Sequence, residues 1–317
     1  MQAHPPSLAW YKINVSGPPA SELGWMIMAN SPPDKGLVLF SSSTWPNIHP
    51  YTWIFAKNVW TNLTPRLNRS PPARTDAGFV YDASDGYDLL FGGYNPISSS
   101  SPFGFLNDTW AFANGSWTQI RAPSAPAGLD GFGMTYDARD GYVVLFGGCC
   151  AQTGRGNGYW YTNETWTYHA GKWTRVLGAP HPYSRFSTSL TYDVRDGGVV
   201  LYGGVSCPVR VCKNMLNSTW VFRGGVWDRM NPIRNPGVRQ WPGACYDRTL
   251  REEVLVGGGG GSRSLSNTWA YAAGNWTNLT RHISGAFPGG SSGQVAFDST
   301  SQQFLILEFN GNLWTLR

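Results

Sequence analysis

Three arginines stand at the same point of a repeated sequence unit. Arg74, Arg185 and Arg239 each lie a few residues before a strand-like segment, and Asp76 and Asp130 lie close to the same point in two units. Guanidinium groups that converge can bind a carboxylate or phosphate with paired hydrogen bonds. A nearby carboxylate can act as a general acid or base. The alternative is a scaffold role, in which each arginine pairs with backbone or with an Asp of a neighbouring unit.

The other titratable residues offer little chemistry. Glu308 is a third carboxylate candidate because it stands where other units have the first Gly of a Gly-Gly pair, although an irregular last unit explains it equally well. The five histidines share no metal-ligand spacing, so we expect no metal and no cofactor. Eight of the nineteen carboxylates are expected in tight turns: Asp82, Asp85, Asp137, Asp140, Asp193, Asp196, Asp247 and Asp298.

Aromatic residues are concentrated in three long segments that follow Gly-Gly pairs. Loop aromatics often mark binding surfaces, and sugars stack on such rings. The alternative is that the rings pack beneath their own loops. We predict ligand contacts for Tyr94, Tyr159 and Trp160, and the same segments also carry Phe103, Phe105 and Tyr161.

The elements that hold these residues come from a repeat. Nearly the same phrase begins at Tyr81, Tyr136 and Tyr192, and it reads YDASDGYDLLFGG, YDARDGYVVLFGG and YDVRDGGVVLYGG. Each copy predicts a strand, a tight turn in which Asp binds its own backbone and Gly takes positive φ, and a fully buried strand. Segments of the NDTWAF and GSWTQI type then supply two more strands. The unit therefore has four antiparallel strands and a period of about fifty residues.

A four-stranded sheet cannot bury both faces alone, so neighbouring units must stack, and radial stacking gives a β-propeller. The third-strand Trp is expected to fill the space between units. The pattern resembles the kelch repeat family, which carries the same Gly-Gly pair followed by Tyr/Trp spacing. This resemblance covers nearly the whole chain and implies blades around a central channel, with ligands bound on the face of the loops that follow Gly-Gly.

The two ends of the sequence predict six blades in one domain, residues 1–317. The last unit stops after its third strand at Trp314, and the first residues match a fourth strand, with Trp10 in the place of Trp117. The N-terminal strand is therefore expected to close the last blade. The blades are approximately residues 20–66, 74–123, 129–180, 185–232, 238–282, and 290–317 plus 7–16.

Cysteines and sequons favour an extracellular or cell-surface protein, with a signal peptide absent from this sequence. We predict a Cys207–Cys212 disulfide, a vicinal Cys149–Cys150 bridge as an open question, and a buried thiol at Cys245 with a packing role. Nine Asn-x-Ser/Thr sequons occur, whereas chance would give roughly three. The glycosylation candidates are Asn14, Asn62, Asn114, Asn275 and Asn278.

The composition narrows the function. Charged residues make up 14% of the chain and form no basic block, which argues against a nucleic-acid partner, and no apolar run could insert into a membrane. We expect a non-catalytic kelch propeller that binds a glycan or a protein through the loop face of blades 2–4. The alternative is a carbohydrate-active enzyme of the sugar-acid mutarotase or lyase type that uses the arginines and a carboxylate. A third reading is an intracellular scaffold for an acidic peptide.

Overall fold

The computed structural model describes residues 8–44, 48–97, 104–151, 159–178, 180–206, 214–285, 287 and 293–317. The fold is all-β, as predicted. In this part of the chain the helices are three short 3-10 turns, Ala20–Glu22, Thr64–Arg66 and Thr280–His282. None of the described helices is long enough to span a membrane.

The described strands of sheets 1–5 are antiparallel and follow chain order, and sheet 6 differs because it contains the N-terminal strand and one parallel pair. Sheet 1 consists of Trp25–Ser31, Gly36–Ser42, Pro50–Ala56 and Val59–Asn62. Sheet 2 consists of Gly78–Asp82, Tyr87–Phe91, Thr109–Ala113 and Ser116–Ile120. Sheet 3 consists of Gly133–Asp137, Tyr142–Phe146, Thr165–His169 and Lys172–Val176.

The second half of the chain repeats this arrangement. Sheet 4 consists of Ser189–Asp193, Gly198–Tyr202, Thr219–Arg223 and Val226–Met230. Sheet 5 consists of Gly243–Asp247, Glu252–Val256, Thr268–Ala272 and Asn275–Asn278. Sheet 6 combines both ends of the chain and consists of Gly293–Asp298, Gln303–Glu308, Leu313–Leu316, Leu8–Ile13 and the short parallel strand Ile283–Ser284.

Two small three-stranded sheets extend sheets 3 and 4 beyond their Gly-Gly pairs. The first consists of Leu129–Asp130, Cys149–Ala151 and Tyr159–Tyr161. The second consists of Arg185–Phe186, Val205–Ser206 and Asn214–Met215. They fix the segments that lead into the first strands, where the candidate site residues lie.

The turn between the first two strands forms as the sequence predicts. In sheet 2, Oδ1 of Asp82 accepts hydrogen bonds from the backbone N–H groups of Ser84 at 3.0 Å and Asp85 at 3.2 Å. Gly86 closes this turn with a φ of +78°, which glycine adopts at little cost. The same pair of bonds recurs at Asp137, Asp193 and Asp247.

Neighbouring sheets pack through their first strands and through tryptophans. The first strand of each sheet contacts the first strand of the next, and the first strands of sheets 6 and 1 also contact each other. The fourth-strand tryptophan reaches the preceding sheet, where its indole N–H donates to a threonine hydroxyl. These bonds are Trp117 to Thr52 at 3.0 Å, Trp173 to Thr109 at 3.1 Å, Trp227 to Thr165 at 2.9 Å and Trp276 to Thr219 at 2.9 Å.

The third-strand tryptophans pack between sheets, as predicted: Trp110 belongs to the core cluster between sheets 1 and 2, and Trp220 to that between sheets 3 and 4. The hydrogen bond between sheets, which the sequence analysis did not assign, is made by the fourth-strand tryptophan. The threonine of each Thr-Trp pair is its acceptor. In sheet 6 the corresponding position is Trp10, which is buried against the rings of Phe287 and Phe304. Its strand pairs with Leu313–Leu316, from Trp10 opposite Leu316 to Ile13 opposite Leu313.

Candidate functional site

The first strands of the six sheets line a channel of about 1100 Å³. We call the end where the first strands begin and the Gly-Gly segments lie the loop face. Thr75, Asp76, Phe132 and Trp241 line the channel at that end. The predicted site residues of sheets 2–5 lie around this mouth or in the segments that enter it.

A continuous chain of backbone hydrogen bonds forms the rim of the mouth. Gly131 N–H donates to the carbonyl of Asp76 at 3.0 Å, Ser187 N–H to that of Gly131 at 2.7 Å, and Trp241 N–H to that of Ser187 at 2.9 Å. One residue from each of sheets 2–5 is therefore hydrogen-bonded to the corresponding residue of the neighbouring sheet. The bonds of the rim join backbone groups, so they use none of these four side chains.

Three rim residues carry unfavourable backbone conformations. Asp76, Ser187 and Trp241 have φ values of +52°, +56° and +45°, and the fourth position is Gly131 at +60°. Elsewhere in the described chain, residues other than glycine with positive φ lie in hairpin turns. A non-glycine residue in this region costs on the order of 1–2 kcal/mol, and such strain concentrates at functional sites. The strain therefore points to the loop-face mouth.

Two of the predicted carboxylate candidates lie at the mouth: Asp76 is a rim residue, and Asp130 directly precedes the rim residue Gly131. Asp76 has solvent-exposed surface, yet the channel wall surrounds its carboxylate, and this desolvation raises its pKa against an opposing hydrogen bond from the Thr75 hydroxyl at 2.7 Å. Burial and then the charge of Asp76 raise the pKa of Asp130 to about 7. With a pKa near 7, Asp130 can gain or lose a proton at neutral pH, and an ionised carboxylate at this mouth can accept hydrogen bonds from ligand hydroxyls.

Aromatic rings stand beside the carboxylates. Phe186 lies between Tyr161, at 5.0 Å between ring centroids, and Trp241, at 6.1 Å in an edge-to-face arrangement. Trp241 is 50% exposed, and Trp160 in the adjoining small sheet is 53% exposed. The sequence singled out Trp160 and Tyr161 but missed Phe186 and Trp241, because they precede first strands rather than follow Gly-Gly.

The three arginines do not line the channel. Arg74 is buried and forms a bidentate ion pair with Asp108 of its own sheet at 2.7 and 2.9 Å. Arg185 donates to the carbonyls of Tyr183 and Gly203, and Arg239 to those of Pro236 and Gly257. These fully buried guanidinium groups hold the entry segment of each sheet to its own Gly-Gly pair. The scaffold alternative describes these bonds, with partners within one sheet rather than between sheets, and we leave the three arginines out of the candidate site at the loop-face mouth.

The remaining candidates divide between packing and the undescribed part of the chain. Tyr94 packs on Phe105 of its own loop, with 5.2 Å between the ring centroids, as in the alternative that the aromatic rings pack beneath their own loops. Glu308 is buried and accepts hydrogen bonds from Trp314 at 3.0 Å and Asn312 at 3.1 Å, so it supports sheet 6. Phe103 and the side chain of Tyr159 lie outside the described residues.

The cysteine predictions are mostly untested. Cys207 and Cys212 lie outside the described residues, as does the side chain of Cys150. Cys245 is a thiol, and it lines the channel while packing on the core between sheets 5 and 6. Its burial is partial rather than complete. Among the described residues no group of three or more His, Cys, Asp or Glu side chains could hold a metal ion.

Comparison of the sequence with models of protein families gave no match, and comparison with curated proteins gave no significant match. The resemblance to kelch repeats therefore remains a prediction.

Proposed function

We propose that the chain is a six-bladed propeller of the kelch type, with sheets 1–6 as its blades and the N-terminal strand as the outer strand of the last. The contacts between successive first strands, including those of sheets 6 and 1, support this proposal. The buried position of Trp10 in the fourth-strand column supports closure by the N-terminus. The Gly-Gly and Thr-Trp repeats are the basis for the family.

We propose further that this propeller is a binding module whose ligand is a glycan at the loop-face mouth. The observation that carries this proposal is the exposed ring of Trp241 on the same rim as the Asp76–Asp130 pair. The apolar face of a sugar ring stacks on an aromatic ring, and its hydroxyls donate to carboxylates. With the arginines committed to the scaffold, a neutral sugar fits this mouth better than an anionic one.

A glycan array with the labelled protein tests the proposal. We expect binding by wild type, and we expect Trp241→Ala to weaken it roughly five- to tenfold, from the loss of one aromatic contact. Tyr183→Ala is the matched control, because Tyr183 is 73% exposed and does not line the channel. Equal losses in the two variants, or binding that neither variant changes, would place the ligand elsewhere.

The Asp76–Asp130 pair favours one second candidate, a carbohydrate-active enzyme of the mutarotase or lyase type. Asp130 would act as general acid or base, since its raised pKa lies near neutrality, where proton transfer is effective. The test is turnover of any glycan that binds. Asp130→Asn should abolish turnover but retain binding through Trp241 if the chain is an enzyme.

We propose an extracellular or cell-surface location. The sequon asparagines Asn14, Asn114 and Asn275 are exposed, and Asn62 and Asn278 are half-buried, with their side-chain oxygens accepting hydrogen bonds from Thr64 and Thr280. Exposed acceptor sites are what glycosylation requires. Expression in a secretory host followed by glycosidase treatment tests this, and an unchanged mass would count against it.

A further inference from the structure

A carboxylate accepts a hydrogen bond from the third-strand tryptophan in four of the six sheets. The donor is always the indole N–H, and the acceptor comes from a different point of the sequence in several cases. The pairs are Trp53 with Glu22 at 3.0 Å, Trp110 with Asp108 at 2.7 Å, Trp166 with Glu164 at 2.9 Å and Trp314 with Glu308 at 3.0 Å. A carboxylate at this point is therefore a recurrent part of the fold.

Sheet 2 shows the complete arrangement. Arg74 donates through Nε to the carbonyl of Pro72 at 2.9 Å and through Nη1 to that of Gly92 at 2.9 Å, which fixes the plane of its guanidinium group. Its Nη2 then donates to the same Asp108 oxygen, Oδ2, that accepts from Trp110. The Asp108 side chain is 18% exposed, so this point of the sheet is open to solvent.

Sheet 4 has the same donors around a different residue. Arg185 donates through Nε to the carbonyl of Tyr183 at 3.1 Å and through Nη1 to that of Gly203 at 3.0 Å, so its guanidinium group has the same orientation as that of Arg74. Ser218 stands in the place of Asp108 and accepts from Nη1 at 3.1 Å. Nη2 of Arg185 and Nε1 of Trp220 are buried and have no acceptor among the described residues.

A second cation lies beside these donors. Arg229 is directly opposite Trp220 in the strand register and is exposed to solvent. Burial and then the charge of Arg229 lower the pKa of Arg185 to about 9, which shows that the two charges interact. In sheet 3 the residue opposite the tryptophan is also an arginine, Arg175, and it forms an ion pair with Glu164 at 2.8 Å.

We propose that Ser218, Arg185, Trp220 and Arg229 form a binding site for a small carboxylate anion, which takes the place that Asp108 has in sheet 2. The donors suit a carboxylate because the fold presents part of the same set to its own carboxylates. In sheet 2 the entry arginine and the tryptophan bind Asp108, and in sheet 3 the tryptophan and the opposite arginine bind Glu164. An anion reaches the site from the side of Arg229, past the half-buried Ser218. This site lies outside the loop-face mouth residues, and the proposal does not depend on glycan binding.

Sheet 5 does not offer a comparable anion site. Its arginine, Arg239, uses Nη2 on the carbonyl of Pro236 and Nη1 on Gly257 and Asn267, so both terminal nitrogens of its guanidinium group are occupied by the protein. Nε of Arg239 and Nε1 of Trp269 have no acceptor among the described residues, but the terminal nitrogen that faces an anion in sheet 4 is not available here. The residue opposite Trp269 is Asn278, which carries no charge. The proposal is therefore specific to sheet 4.

Three proteins and one anion test the proposal: wild type, Ser218→Asp and Ser218→Asn, each melted in increasing acetate that replaces chloride at constant ionic strength. Wild type should gain melting temperature with acetate, because a ligand that binds only the folded state stabilises it. Ser218→Asp should melt about 3 °C or more above wild type without acetate and should not respond to acetate, because it supplies the carboxylate itself. The neutral control Ser218→Asn should show neither the higher melting temperature of Ser218→Asp nor the response of wild type to acetate.

An acetate response of Ser218→Asp equal to that of wild type would overturn the proposal, and so would a wild type that acetate does not affect.

If Ser218→Asp does not fold, calorimetric titration of acetate into wild type and into Arg229→Gln tests the proposal instead. Gln119 occupies the position of Arg229 in sheet 2, so this variant is compatible with the strand. We expect roughly tenfold weaker binding of acetate by Arg229→Gln. An unchanged affinity, or no binding by wild type, would refute the site.

Discussion

Replacement of Trp10 by alanine tests whether the N-terminal strand completes sheet 6. Trp10 is 5% exposed, and its ring packs against Phe287 at 5.6 Å and Phe304 at 6.2 Å between centroids. Removal of a buried Trp side chain costs about 3–5 kcal/mol. For a protein of this size that corresponds to a fall in melting temperature of about 4–8 °C.

Tyr11→Ala is the matched control in scanning calorimetry. Tyr11 is the next residue of the same strand, but it is 45% exposed, and the guanidinium group of Arg317 lies over its ring at 4.7 Å. We expect it to cost about 1 kcal/mol or less. Deletion of residues 1–16 should destabilise the protein at least as much as Trp10→Ala, because it exposes the edge of Leu313–Leu316. A Trp10→Ala protein that melts within 1 °C or so of Tyr11→Ala would refute closure by the N-terminus.

Three further predictions concern single residues. The pKa of Asp130 is about 7 in the folded state and about 4 in the unfolded state, so the stability that its protonated form contributes is present below pH 4 and is lost as pH rises to 7. In urea unfolding, Asp130→Asn should be about 1–2 kcal/mol more stable than wild type at pH 8 and equal to wild type near pH 3.5. The expected gain is smaller than the full pKa shift implies, because Asp130 is only half-buried. Trp117→Phe should lower the free energy of unfolding by about 1–2 kcal/mol more than Trp60→Phe in urea unfolding, because Trp117 donates a hydrogen bond to Thr52 across sheets whereas Trp60 Nε1 has no acceptor among the described residues. Equal losses in the two variants would count against a role for this hydrogen bond. Cys207 and Cys212 should resist alkylation until reduced in mass spectrometry, and labelling of either residue without reductant would exclude their disulfide.

The sequence predicted those parts of the fold in which a residue interacts with its near neighbours along the chain. The turn aspartates bind backbone within three residues, so the phrase around Asp82 is sufficient to place the turn. The strand order follows because each unit is a meander. The third-strand tryptophans pack between sheets as predicted. The hydrogen bond of the fourth-strand tryptophan was missed, because the bond between Trp117 and Thr52 joins two units and no spacing within one unit reveals it.

The sequence analysis placed its candidate residues at one end of the predicted channel, but it did not show which of their side chains line it. The sequence shows that Arg185 carries a charge near the mouth, but not that its side chain turns back to the carbonyl of Gly203. The rim was missed because its four positions hold Asp76, Gly131, Ser187 and Trp241, which share a backbone conformation and no side-chain chemistry. A positive φ at unlike residues leaves no signal in a single sequence.

The most direct test of glycan binding at the loop-face mouth is a crystal structure of the protein with a glycan identified on the array. We predict density for a sugar ring on the indole of Trp241, with hydroxyl groups within hydrogen-bonding distance of the carboxylates of Asp76 or Asp130. Density at the opposite end of the channel or on the outer edges of the sheets, with an unoccupied loop-face mouth, would contradict the account.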